Sequence, residues 1–290
     1  MRGPLQRDAI AIGIYEIDSH NVTDPTDRNS RCSGEGAVNL MDATGPYQIP
    51  YGVMVPKNRD GLLVPVAISA THVALSSVRM EPVWSALGEA AGVAASMALK
   101  GGKELRDVDV SRLQQALLTR GCKLFFYPDV DARTEDFAAI QRMSLLGAAD
   151  GDATYRFHPE QAIPLGEFCR LVVAGMDIPI SITAAHFRDA PRGHPYYKYI
   201  ETVYDLNTES GKSFFPFEVR KNPGSPTMRD AAAFVHPDSS VTGAILAKIL
   251  TGALAQKHVP VPPLRVDAGH PVTRAEACRI VASVRRSLGL

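Results

Sequence analysis

Hydrophobic and polar positions change rhythm several times along the chain. Residues 8–17, DAIAIGIYEI, alternate enough to predict a strand. Residues 20–45 are polar and rich in Asn, Asp, Thr and Gly, the composition of a long loop. Residues 47–56 are strand-like again, with Pro50 and Pro56 restricting them to an edge or a kinked path. Residues 62–66, LLVPV, form an apolar run long enough for a strand buried on both faces. A polar loop follows, with Ser69, Thr71, His72, Ser76 and Ser77. Arg79-Met80-Glu81-Pro82 then leads into a helix predicted over residues 83–99, with Pro82 in its first turn, where a missing N–H costs nothing.

That helix has an unusual composition. Gly88, Gly92 and Ser96 recur every four residues, with Ala91 and Ala95 beside them. Two interior glycines cost about 1 kcal/mol each relative to alanine, so the smooth stripe predicts close approach to a sheet or a ligand. A strand, a polar loop and a docked helix can form an anion or cofactor site, because the free amides and dipole of a helix start favour negative charge. An ordinary buried strand–helix pair fits the pattern equally well. After Gly101-Gly102 a short amphipathic helix is predicted over residues 110–118, with Ser111 as its cap, ending near Gly121.

From residue 125 the texture becomes repetitive. Residues 126–174 contain FYPDV, a helical stretch with Phe137, Ile140 and Met143, then LLGAADG, RFHPE and a second helix over 165–173. Residues 187–250 begin FRDA, continue with a helix over 196–206, and later give VHPDSSVT and a helix over 243–250. Residues 267–288 repeat only the second half, DAGHPVTRAEACRIVASV. Such units bury their apolar faces mainly against each other.

Composition narrows the function classes. Of 290 residues, 45% are hydrophobic and 21% charged, ordinary for a globular protein long enough for two domains. Basic and acidic residues are equal at 31 each, which gives no support for a nucleic-acid or anionic-membrane partner. Cys32, Cys122, Cys169 and Cys278 are widely spaced with no C-x-x-C pair, so no metal site is expected. The N-terminal stretch reads as neither a signal peptide nor a membrane span.

Several segments resemble one family nearly word for word. The run LLVPV, then SATH, then SVRMEPV, and a glycine–alanine helix are similar to the flavin end of bacterial FAD-dependent oxidoreductases. The resemblance extends upstream through YEIDSH (15–20) and GPYQIPY (45–51), and covers roughly residues 8–124. It implies an α/β fold for residues 1–124, the C-terminal part of an FAD/NAD(P)-binding domain, with FAD as cofactor and a small-molecule or carbohydrate-like substrate. Ser69, Ala70 and Thr71 would lie along the flavin, and Arg79, Met80, Glu81, Pro82 and Val83 would set a helix start against its N1 and C2 carbonyl.

His72 and His20 are the candidate catalytic residues, since His titrates near neutral pH. His72 serves either as proton donor and acceptor or as a loop-bonding histidine. His20 either pairs with Asp18 on one strand face or is a plain loop residue. Arg79 either helps the helix start or forms a surface ion pair with Glu81. Tyr47 and Tyr51 either face a substrate or pack. The resemblance to that family implies a basic residue after IPY, and Gly52 stands there instead.

The phosphate end of the cofactor needs G-x-G-x-x-G after a strand, with an acidic residue some 20 positions on. The nearest match, residues 34–39, follows no strand and lacks its third glycine. The expectation is a fragment: a C-terminal portion of a bacterial oxidoreductase, inactive alone, completed by an N-terminal FAD-binding portion.

Residues 125–290 resemble S-layer homology repeats, which implies an all-α domain holding cell-wall polysaccharide and a place in the cell envelope or outside the cell. The mark of that family, [IV]-T-R-A-E, is intact at residues 272–276, so Thr273, Arg274 and Glu276 are the implied polysaccharide-binding residues. The corresponding positions 163–167 and 241–245 lack the arginine, and residues 208–233 insert into the second repeat. An anchoring protein with a vestigial flavin-fold half is the rival to the oxidoreductase reading.

Overall fold

A computed structural model of the chain describes residues 4–20, 37–40, 45–209, 215–221, 231–255, 264 and 266–290. Cys32 and residues 34–36 of the rejected glycine motif lie outside the described residues. The chain divides after Arg133 into two units, Met1–Arg133 and Thr134–Leu290. The division falls later than residue 124, since the Leu124 carbonyl accepts a hydrogen bond from Gln48 Nε2 at 3.0 Å inside the first unit.

In the first unit, the alternation over residues 8–17 yields two short strands. β1 (Ala9–Gly13) pairs antiparallel with β4 (Tyr47–Pro50), and β2 (Ile17–Ser19) pairs antiparallel with β3 (Val38–Leu40). At Pro50 the chain leaves the strand and turns through a 3₁₀ segment, Tyr51–Met54, as expected of proline at a strand edge. Helix α1 (His72–Val78) lies against β2; α2 (Glu81–Gly101) and α3 (Val110–Thr119) cover β1.

The buried face of α2 is Val83, Leu87, Ala90, Ala94 and Ala98, spaced at helical period, and its alanines give β1 its close approach. Gln114 of α3 reaches down and donates to the carbonyls of Arg7 (2.8 Å) and Ala9 (2.9 Å), satisfying backbone acceptors beside β1.

Besides the strand β3, which lies inside the predicted loop over residues 20–45, four expectations for this unit need correction. Residues 62–66 are not a strand: Leu62 and Val66 are about half exposed, at 47% and 50%. Pro65 interrupts the run and cannot donate to a ladder, so the segment hangs from the 3₁₀ turn through Val64 N–H to Met54 O (2.9 Å) and Ser69 N–H to Val53 O (2.8 Å). The polar loop after it is helix α1 from residue 72 onward. Thr71 caps it by accepting from Ala74 N–H (3.1 Å), and the buried Ser76 hydroxyl is satisfied by Val73 O (2.7 Å). The glycine stripe of α2 faces outward, and a Cβ at Gly88 or Gly92 would meet open space. The cap of α3 is Asp109, which accepts from Arg112 N–H, and not Ser111.

The second unit is built from helices α4 (Phe137–Leu145), α5 (Leu165–Gly175), α6 (Tyr197–Glu209), α7 (Gly243–Ala255) and α8 (Arg274–Ser287). It is not all-helical. The insertion in the second repeat contributes a hairpin, β5 (Glu218–Lys221) with β6 (Ala231–Phe234).

The starts of α5, α7 and α8 meet in a ring. Ile163 N–H donates to Val272 O, Val272 N–H to Val241 O, and Val241 N–H to Ile163 O, at 2.9, 2.8 and 3.0 Å. All three side chains are buried. The same rotation relates the next layer: the first amides of the helices, at Leu165, Gly243 and Arg274, donate to the carbonyls of Ser239, His270 and Gln161. Amides that a helix start leaves unsatisfied are thus capped by the loop of a neighbouring repeat. Among the described residues, no helix is long and apolar enough to cross a membrane.

Candidate functional site

In the first unit a pocket of about 540 Å³ opens between β4, the stretch before α1 and the side of α1 itself. Its wall is mostly apolar, with Ile17, Ile49, Val53, Ile68 and Val73 prominent. Polar groups are few: Tyr47, Gln48, Ser69, Thr71 and Ser77. A concave apolar site with a small number of placed polar groups is the usual form of a small-molecule site.

Residues 68–71 reach this wall because the chain, tied by Ser69 N–H to Val53 O, runs past the 3₁₀ turn before Thr71 starts α1. Tyr47 is placed by β4. Its hydroxyl lies 2.7 Å from Ser77 Oγ, and Ser77 in turn donates to the Tyr15 carbonyl. Burial raises the Tyr47 phenol above its ordinary range, so the ring stays protonated through neutral pH. The position opposite Tyr47 on β1 is Gly13, and a Cβ there would overlap the end of the Tyr47 ring.

Three of the sequence-predicted cofactor residues, Ser69, Ala70 and Thr71, line this pocket. The other five do not. Arg79, Met80, Glu81, Pro82 and Val83 stand outside its wall, at the junction of α1 and α2. There the amide of Val83 is already bonded to Met80 O (2.9 Å), and Glu81 places a carboxyl in the first turn of α2. A helix start so occupied is a weaker anion site than its sequence suggests.

The two histidines are also outside the pocket wall. His72 is the exposed first residue of α1, with Nε2 3.2 Å from Ser19 Oγ. His20 does pair with Asp18, Nε2 to Oδ2 at 3.1 Å, with its side chain 71% exposed. Arg79 joins the same carboxylate at 3.2 Å, so its partner is Asp18 and not Glu81. That contact links β2 to the end of α1 across 61 residues of sequence, and no local spacing foretells it. Of the two tyrosines, Tyr47 faces the pocket and Tyr51 is packing: it is buried and donates to Leu105 O at 2.8 Å. Gly52 has open space around it, so its lack of a side chain is no steric requirement.

In the second unit, Thr273 caps α8 by accepting from Glu276 N–H at 3.1 Å. Arg274 is turned inward. Its guanidinium meets Glu167 (Nε to Oε1, 2.9 Å), donates to the carbonyls of Phe157 and Asp150, and lies over the Phe157 ring. Arginine and glutamate are 9% and 12% exposed, so Arg274 is committed to holding the third repeat on the first, which removes it as a surface glycan ligand.

By the same rotation, the places of Arg274 and Glu167 are taken at the second junction by Leu165 and Ile245, both apolar. The two residues share the wall of a pocket of about 330 Å³ with Phe217, Glu218, His236 and Ser239. At the third junction the arginine position is Gly243, where a Cβ would collide with the Asp267 carbonyl. Among the described residues, no group of three His, Cys, Asp or Glu side chains could hold a metal ion.

Residues 1–117 match the family described as FAD dependent oxidoreductase. The match supports that family, and with it FAD as cofactor, for the N-terminal part of the chain. No curated protein matches the chain.

Proposed function

We propose that the first unit holds the ring end of FAD in an oxidoreductase, with the pocket walled by Tyr47, residues 68–71 and α1 as the ring site. The observation that carries this is the pocket itself: a mostly apolar slot of about 540 Å³, placed within the matched residues and lined by Ser69, Ala70 and Thr71. A flat aromatic ring with polar edges fits such a wall, where apolar side chains take the ring faces and the hydroxyls of Ser69, Thr71 and Tyr47 take the edges. Among the described residues, no Lys or Arg belongs to the wall, so it offers a diphosphate no side-chain cation.

We therefore infer that the phosphate end of FAD is held by chain other than these described residues. FAD would supply the hydride or electron-accepting chemistry, and this chain would bind the ring, orient it and exclude water from one side. The substrate, small or carbohydrate-like, is unassigned. His72, one residue from Thr71, is the nearest candidate for moving a proton at the edge of the site.

Flavin fluorescence tests the reading. Riboflavin and FAD should be quenched by the protein with similar affinity, because only the ring is held. Ala74→Trp, on the pocket wall and exposed, should abolish the quenching without disturbing the core. No quenching by the wild type would sink the proposal.

For the second unit we propose three S-layer-homology-like repeats that attach the chain to cell-wall polysaccharide at the cell envelope. The threefold ring at Ile163, Val241 and Val272 favours this reading, since it makes the half repeat at 267–288 a full member of the closure. Arg274 would act there as internal support, with Thr273 and Glu276 at the head of its helix. Sedimentation with purified wall polysaccharide tests it, with Phe217→Ala in the junction pocket as the variant expected to bind less. Failure of the wild type to sediment would rule it out.

A further inference from the structure

We infer that Tyr47 is a specificity residue of the ring site and that its phenol oxygen accepts the N3–H of the isoalloxazine. This rests on the reading of the pocket as a flavin site. The argument is about the direction of a hydrogen-bond chain. The Tyr15 carbonyl can only accept, so the Ser77 proton goes to it. Ser77 Oγ is then the acceptor for Tyr47, 2.7 Å away, and the phenol proton is committed to Ser77. What Tyr47 has left to offer a ligand is a lone pair.

The chain is held in place on both sides. Ser77 is buried on α1, and Gly13 leaves room for the Tyr47 ring to lie across β1, where any larger residue would displace the ring end that carries the hydroxyl. A fixed acceptor in a mostly apolar wall selects a ligand that donates at that point. It disfavours one that presents a carbonyl or a methyl group, because two acceptors face to face leave both unpaired. Oxidised isoalloxazine has one N–H, at N3, and so one way to satisfy Tyr47.

The experiment compares riboflavin with 3-methylriboflavin, which lacks only that N–H, by fluorescence quenching on the wild type and on Tyr47→Phe. The wild type should bind riboflavin about fivefold more tightly than the methylated ring, the worth of one neutral hydrogen bond. Tyr47→Phe should erase the preference, weakening riboflavin while 3-methylriboflavin binds at least as tightly as it does to the wild type, which also shows that the variant is folded. Gly13→Ala, which displaces the phenol without removing it, should narrow the preference in the same way. Equal binding of the two flavins by the wild type overturns the assignment while leaving the pocket a flavin site. Binding of neither overturns both.

Discussion

Arg274 shows what one side chain does when a repeat is closed by its neighbour. The guanidinium is almost fully buried, and it is held by Glu167, two carbonyls and a ring face. Removing it leaves a buried carboxylate without its cation, so Arg274→Met should cost about 3–5 kcal/mol in chemical denaturation. The second junction already works with Leu165 and Ile245 at the matching places. Replacing both partners, Arg274→Met with Glu167→Leu, should therefore recover about half of that loss, and a double variant no better than the single would argue against the equivalence of the junctions. At the same scale, burial and the nearby Glu89 charge push the Cys122 thiol up to about 11 from its ordinary 9.0. The folded state thus favours the protonated thiol. Its contribution to stability is complete below pH 9 and is lost as pH rises from 9 to 11. At pH 8 its alkylation should be about 100-fold slower in the native protein than after unfolding, measured by mass spectrometry of the labelled peptide.

At the scale of elements, the sequence was most legible where periodicity and breakers agree. The long helix over residues 83–99 and the short one over 110–118 stand almost where alternation and glycines place them, at Glu81–Gly101 and Val110–Thr119. It was least legible where composition and context disagree. LLVPV reads as a buried strand, but Pro65 denies it a ladder. SATHVALSS reads as a loop because of its hydroxyls, but each of the two inward serines finds a carbonyl, and the helix forms. The site shows the same division: Ser69–Thr71 follows from the motif, whereas the Asp18–Arg79 contact and the Tyr47–Ser77–Tyr15 chain depend on tertiary placement. The outward glycine stripe of α2 carries its own prediction. With open space at both positions, Gly88→Ala and Gly92→Ala should each raise stability by about 0.5–1 kcal/mol, read from the thermal midpoint. A loss of stability would mean that the stripe is in contact after all.

At the scale of the molecule, the division after Arg133 gives each part its own buried interior: Leu87, Ala94 and Leu113 in one, Phe157, Phe168 and Ile249 in the other. Scanning calorimetry should resolve two transitions, and Gly243→Ala should lower one of them only, because its added methyl collides with the Asp267 carbonyl inside the second unit. One transition, shifted as a whole, would refute that independence.

The ring at Ile163, Val241 and Val272 also bears on the order of events during synthesis. The Arg274–Glu167 pair beside it spans 107 residues, and the ring is incomplete until Val272 has been made. A ribosome working through the first two repeats therefore releases helices whose starting amides still lack their acceptors: α7 awaits the carbonyls of Ala268 and His270. The last repeat is the keystone of the arch, and for the seconds before it emerges the growing domain depends on whatever shelters an open helical surface in the cell.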